Sequence, residues 1–170
     1  GLEKRSLQID EQEGIKLTVF AKSDCRLGEH PFVLTGSRGA AEVRTLQVDP
    51  FPIFAEEEPN STLDSAQVVS LPATITGIVE EGDEDTFRVT LKKGQRLTAE
   101  VVALPLGRYL FDALLEIVDE QGNVLAKVDD SPLLKQDPTT SILAPRDGDY
   151  YIRVREAAFG GDLDSRYRIH

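Results

Sequence analysis

Gly82-Asp83-Glu84-Asp85-Thr86-Phe87-Arg88-Val89-Thr90-Leu91-Lys92-Lys93-Gly94-Gln95-Arg96-Leu97-Thr98-Ala99-Glu100-Val101-Val102-Ala103 is the stretch from which the rest of the chain can be read. Phe87, Val89 and Leu91 alternate with Thr86, Arg88 and Thr90. After Lys93-Gly94, Leu97, Ala99, Val101 and Ala103 alternate with Arg96, Thr98 and Glu100. Successive side chains on extended backbone point to opposite faces, so a period of two marks a strand with one face buried. The same pattern returns where Tyr150, Ile152 and Val154 alternate with Tyr151, Arg153 and Arg155. Turn signals at Gly82-Asp83, Lys93-Gly94, Gln121-Gly122-Asn123, Asp147-Gly148 and Gly160-Gly161-Asp162 are closely spaced, which fits antiparallel hairpins and not βαβ units. The expected fold class is all-β, closed as a sandwich.

Working outward, Leu63 to Val69 and Leu104 to Leu110 are the only helix candidates, each a turn or two long, and the second contains Pro105 and Gly107. Phe51-Pro52-Ile53-Phe54-Ala55-Glu56-Glu57-Glu58-Pro59-Asn60 joins two prolines to an acidic run, which marks a boundary. Before it, Ile15 to Phe20, Pro31 to Thr35 and Arg44 to Val48 read as strands, with turns at Leu27 to His30 and Gly36 to Gly39. That is about half of an immunoglobulin-like sandwich. The organisation read from the sequence is a partial Ig-like β unit over 1–50, an acidic linker over 51–62 and a β-sandwich over 63–170.

Of 170 residues, 50 are Leu, Ile, Val or Phe, enough to build a core. No run approaches the roughly 18–20 apolar residues that span a bilayer. The sequence contains no Met, so residue 1 is not a translation start and the chain reads as a fragment. The single Cys25 excludes an internal disulfide and leaves the redox compartment open. A net charge of −11 repels a phosphate backbone and an anionic membrane surface, so neither nucleic acid nor membrane insertion is expected. From Glu56 to Asp85 there are nine carboxylates and no Lys or Arg.

Within that stretch Glu56 and Glu58 are two apart, as are Asp83 and Asp85, so on extended backbone each pair points to one side. If the fold brings the pairs together, four carboxylates and the Asn60 amide oxygen converge. An all-oxygen set without His or Cys suits Ca²⁺ first and Mg²⁺ second. The plainer alternative is a solvated acidic linker and an acidic turn that never meet.

Glu56-Glu57-Glu58-Pro59-Asn60-Ser61, Ala66-Gln67, Leu71-Pro72, Gly77 and Gly82-Asp83-Glu84-Asp85-Thr86-Phe87 together resemble the bacterial pre-peptidase C-terminal domain. The resemblance continues through Lys93-Gly94-Gln95-Arg96-Leu97, Asp112-Ala113, Asp119 to Gly122, Asp129-Asp130 and Gly148-Asp149-Tyr150-Tyr151 to Tyr167-Arg168. It implies a jelly-roll-like antiparallel β-sandwich carried as an accessory module on secreted proteins, proteases especially, and related to the collagen-binding domains of clostridial collagenases. The first 50 residues resemble the tail of the Ig-like region that precedes this domain in planctomycete-type surface proteins. Carried over residue by residue, the resemblance implies Ca²⁺ ligands at Glu56, Glu58, Asn60 and Asp85, with Asp83 as a further one. Ser61 and Gly82 stand where calcium-binding relatives have acidic residues.

Other chemistry is poorly supported. His30 reads as a surface-loop histidine, Gly36-Ser37-Arg38-Gly39 falls one residue short of a nucleophile elbow, and Cys25 has no CxxC partner. Asp112, Asp129 and Asp130 read as turn-capping aspartates, not as a glycosidase pair. Asn60-Ser61-Thr62 fits the N-glycosylation pattern. Tyr109, Phe111, Tyr150, Tyr151, Phe159 and Tyr167 could form an aromatic strip for a polymer, but alternation makes most of them packing residues, with Tyr150 in the core and Tyr151 outside.

The expected protein is a non-catalytic, calcium-stabilised accessory module of a bacterial secreted, periplasmic or cell-surface protein, with no catalytic residues. Its partners would be other domains of a longer chain and an extracellular protein or polysaccharide. The alternatives are a structural spacer without ligand and a hydrolase using the acids of residues 56–85; His30 in a pocket beside two carboxylates would favour the hydrolase.

Overall fold

A computed structural model describes residues 1–10, 14–37, 39–40, 43–103, 106, 111–131 and 136–170. The chain divides into two compact units, Gly1–Pro50 and Phe51–His170.

In the first unit β1 (Leu2–Asp10), β2 (Gly14–Ala21), β3 (Gly28–Phe32), β4 (Thr35–Gly36), β5 (Gly39–Ala40) and β6 (Arg44–Val48) form three antiparallel ladders, β1 with β2, β3 with β6 and β4 with β5. None of this unit's described residues is buried. β1 was not legible in the sequence for a local reason. The ladder slips between Lys4 and Ser6, so the apolar phase shifts between Leu2 and Leu7 and no single alternation runs the length of the strand. β3 starts at Gly28, inside the stretch expected to turn.

The second unit contains β7 (Ile53–Ala55), β8 (Gln67–Val68), β9 (Thr74–Ile78), β10 (Glu84–Leu91), β11 (Arg96–Val102), β12 (Ala113–Asp119), β13 (Val124–Val128), β14 (Thr139–Leu143), β15 (Gly148–Glu156) and β16 (Arg166–Ile169). They make two five-stranded sheets, in the orders β13-β12-β15-β10-β8 and β14-β11-β16-β9-β7. Each sheet is antiparallel except for one short edge strand: β8 runs parallel to β10, and β7 parallel to β9. The all-β sandwich is therefore present. Ile53–Ala55, in the stretch read as linker, is one of its strands.

The expected helix at Leu63 to Val69 does not form. Thr62 and Ser65 exchange bonds, the Thr62 N–H donating to Ser65 Oγ (3.1 Å) and the Ser65 N–H to Thr62 Oγ1 (3.2 Å), which closes a tight turn in competition with helix. Gln67 and Val68 then pair with Phe87 and Arg88. The other helix candidate lies outside the described residues except for Leu106. The Gln67 side chain ties the two edge strands: its Nε2 donates to Ala55 O (2.9 Å) and its Oε1 accepts the Glu57 N–H (2.9 Å).

The core lies between the sheets, where the alternation placed it. Phe87, Val89, Leu97, Ala99, Val101, Tyr150, Ile152 and Val154 are all buried, joined by Leu115, Ile117, Tyr167 and Ile169. On the opposite face of the first sheet, Arg153 reaches Glu116 (3.4 Å) and Glu84 (3.5 Å), and Arg155 reaches Glu84 (3.8 Å). Tyr151 is on that outer face as expected, yet it is only 8% exposed. Of the aromatics considered for a binding strip, Phe111, Tyr150, Tyr151 and Tyr167 are buried, Tyr109 lies outside the described residues, and Phe159 alone is exposed, under the Arg155 guanidinium at 4.0 Å.

Phe87 is fully buried at the centre of the core. Phe87→Ala is expected to destabilise the protein by about 3–5 kcal/mol, the usual cost of deleting a core aromatic. Urea unfolding followed by circular dichroism measures it; a loss under about 1 kcal/mol would contradict this core assignment.

Candidate metal centre

The acidic segment and the Gly82-Asp83 loop meet within the second unit. After β7 the Glu56 N–H still bonds to Thr76 O (2.9 Å), continuing the edge ladder by one residue. Beyond the cis Glu58–Pro59 peptide, the Asn60 carbonyl accepts the Thr86 N–H (3.1 Å), which holds the segment against the start of β10. On the other side Gly82 has φ of +77°, a left-handed conformation that glycine adopts without strain, and its N–H donates to Phe159 O (3.0 Å). Asp83 closes the turn: its Oδ1 accepts the Glu84 N–H (2.9 Å) and the Ser61 hydroxyl (3.3 Å).

Alternation along β10 then sorts the acids. Glu84 points outward to Arg153 and Arg155, whereas Asp85, paired across the ladder with Val154, points inward and is fully buried. Carboxylate oxygens of Glu58, Asp83 and Asp85 lie within 4.8 Å of one another. Asn60 is fully buried beside Asp85, whose carboxyl faces the Asn60 amide and the Tyr167 hydroxyl; no hydrogen bond of ordinary geometry satisfies the Asn60 amide atoms or the Asp85 oxygens.

Glu56 is placed differently. Both of its oxygens accept the Ile78 N–H (3.1 and 3.0 Å), and Oε2 also accepts the Tyr167 hydroxyl (3.1 Å). Gly77 makes room for this arrangement, since a Cβ there would overlap Glu56 Oε2 and the Tyr167 hydroxyl. The sequence contained Gly77 and Tyr167 but no sign that they meet Glu56. Tyr167 is 111 residues away, and only the β16–β9 register, with Tyr167 opposite Gly77, brings them together.

The electrostatics are those of carboxylates crowded away from water. Burial, reinforced by the charges of Glu56 and Asp83, pushes the Asp85 carboxyl up to about 8. Burial also raises Glu56 against the lowering effect of its donors, and it raises the Tyr167 hydroxyl well above its usual range. Fully buried, unpartnered oxygens among carboxylates, with no nitrogen or sulfur donor, fit a hard divalent cation.

The remaining sequence candidates do not assemble into chemistry. His30 lines a cleft in the first unit with Glu29 as the one carboxylate among the described lining residues. Its Nε2 must donate to the Arg26 carbonyl at 2.6 Å, so that nitrogen is not available as a base for Cys25 Sγ at 3.8 Å. Gly36-Ser37-Arg38-Gly39 joins the β4–β5 hairpin and not a strand to a helix; Arg38 itself lies outside the described residues. Asp112 is raised by burial and by the neighbouring charges of Asp130, Glu156 and Asp129. Asn60, the acceptor of the glycosylation pattern, is fully buried and out of reach of a glycan.

A carboxyl raised in the folded state and normal in the unfolded chain binds an extra proton only when folded, at pH values between the two pKa values. Stability then falls as pH rises. With a chelator present, thermal midpoints are expected to decline from about pH 4 to about pH 8. Asp85→Asn is expected to flatten that decline, and an unchanged slope in the variant would show that Asp85 is not its source.

Residues 83–156 match the family model of the bacterial pre-peptidase C-terminal domain. Among solved structures the chain is similar to the pre-peptidase C-terminal domain of a collagenase from Bacillus anthracis, at 18% identity over 67% of this chain and 97% of that one, TM-score 0.47. It is also similar to PliG, a periplasmic inhibitor of g-type lysozyme from Aeromonas hydrophila, at 14% identity over 69% and 94%, TM-score 0.47. No curated protein matches the chain. Pre-peptidase C-terminal domains are non-catalytic accessory modules, typically of secreted proteases. Over residues 83–156 this chain is thus similar to the bacterial pre-peptidase C-terminal domain.

Proposed function

We propose that the chain is a non-catalytic accessory module of a larger secreted or cell-surface bacterial protein, and that its sandwich is stabilised by one Ca²⁺ held by Glu58, Asn60, Asp83 and Asp85. The observation that carries this reading is the meeting of three carboxylates within 4.8 Å, one of them the fully buried Asp85, beside the fully buried amide of Asn60. Bound there, a calcium ion would supply the positive charge that offsets the carboxylates. It would also fasten the segment after β7 to the start of β10. Attached catalytic domains, or a matrix protein or polysaccharide, are the partners such a module would serve, with the partial Ig-like unit as its neighbour in the chain. No helix of the described residues is long and apolar enough to cross a membrane.

A ligand that binds only the folded form raises stability by mass action, about 2.7 kcal/mol at a hundred times Kd. Calcium is therefore expected to raise the thermal midpoint over chelator, with magnesium raising it less. Asp85→Asn and Glu58→Ala are expected to abolish the calcium shift. An identical midpoint in chelator, calcium and magnesium would refute the cation reading and favour a spacer without ligand.

A further inference from the structure

In the second sheet β16 stops short of the strands on either side of it. It pairs with β11 through Val101 and Val102, and with β9 as far as Ile75, which stands opposite Ile169. Glu100 and His170 then exchange both backbone bonds, the Glu100 N–H donating to His170 O (3.0 Å) and the His170 N–H to Glu100 O (2.9 Å). Past that pair, Arg96 to Ala99 of β11 are laddered only to β14 among the described residues, and Thr74 of β9 only to Ile53 of β7. A slot one strand wide is left between β11 and the start of β9. It is an open groove, lined in part by Phe51, Leu71, Ala73, Arg96, Thr98 and His170.

Backbone direction decides what this slot accepts. Along an antiparallel strand the bonding groups point alternately to one edge and the other. Glu100 bonds toward β16, so the N–H and C=O groups of Thr98 and Arg96 face the slot from one side. The Thr74 N–H donates to Pro52 O (2.8 Å) and Thr76 O accepts the Glu56 N–H (2.9 Å), both on the β7 side, so the N–H and C=O of Ala73 face the slot from the other. Edges of this kind are templates for a further extended backbone. Phe51 and Leu71, 38% and 40% exposed, border the slot where an occupant would cover them.

We infer that the slot binds an extended peptide segment of a partner polypeptide, added in line with β16 and antiparallel to β11 and β9. The register sets its chemistry. Continuing the β16 pairing puts its first four residues opposite Ala99, Thr98, Leu97 and Arg96. The first and third face the buried side with Ala73, Ala99 and Leu97, which suits small or apolar residues. The second and fourth face outward. Arg96 is exposed and forms no ion pair among the described residues, so a carboxylate at the fourth position complements it. No cation takes part.

The test uses the full chain and the blocked peptide acetyl-Ala-Thr-Val-Glu-Thr-amide, with backbone amides followed by NMR. Hydrogen exchange at Thr98 and Ala73 is expected to slow about tenfold when about nine-tenths of the protein is bound. A peptide with Pro in place of its first Thr lacks the N–H that would meet Thr98 O and is expected not to bind. Arg96→Glu is expected to weaken the Glu peptide about two- to fivefold and to prefer a peptide with Lys in place of Glu. Unchanged Thr98 and Ala73 amides at millimolar peptide, or equal binding of the Pro peptide, would overturn the added strand. An unaltered preference in Arg96→Glu would overturn the chemistry assigned to the fourth position. Protection of the same two amides on concentrating the protein without peptide would make the occupant a second copy of this chain and overturn the assignment to a partner.

Discussion

A carboxylate buried without a countercharge is costly, and in this sandwich Asp85 bears that cost at the inward-facing start of β10. Two neighbours, Glu56 and Asp83, add like charge. From Glu56 to Asp85 the chain contains no Lys or Arg to offset it. Burial and these like charges raise the Asp85 carboxyl to about 8, which favours its protonated form near neutral pH. The local architecture follows from this constraint: the tight Gly82-Asp83 turn, the Asn60–Thr86 backbone bond and the Glu56–Ile78 bond all serve to hold negative groups together that would otherwise separate.

The two units contrast in how they are held. The sandwich buries an apolar layer between two five-stranded sheets, sealed at one side by the Gln67 amide. The outward face of its first sheet is charged but ordered, with Glu84 between Arg153 and Arg155, and Glu116 between Arg153 and the Lys127 ammonium at 2.9 Å. The first unit has only two-stranded ladders and no buried residue among those described, so its apolar side chains contribute less per residue to stability.

Alternation alone located β10, β11 and β15 and the core they share, because the period of two is imposed by the pleat and by burial of a single face. It failed where local chemistry competed. The Lys4–Ser6 slip hid β1, and the Thr62–Ser65 turn replaced a helix with a short parallel edge strand. Those edge strands carry two or three residues each, too few for any periodicity to register.

The sequence by itself determined the sandwich, the sites of its turns and the identity of the acidic residues, since these depend on side-chain type and spacing along one strand. Only the tertiary structure decided that Glu58, Asn60, Asp83 and Asp85 share one place, and that Glu56 meets Ile78 and Tyr167. Those relations run between strands separated by 22 to 111 residues. Cross-strand register and burial fix them, and neither is written into the spacing of residues along the chain.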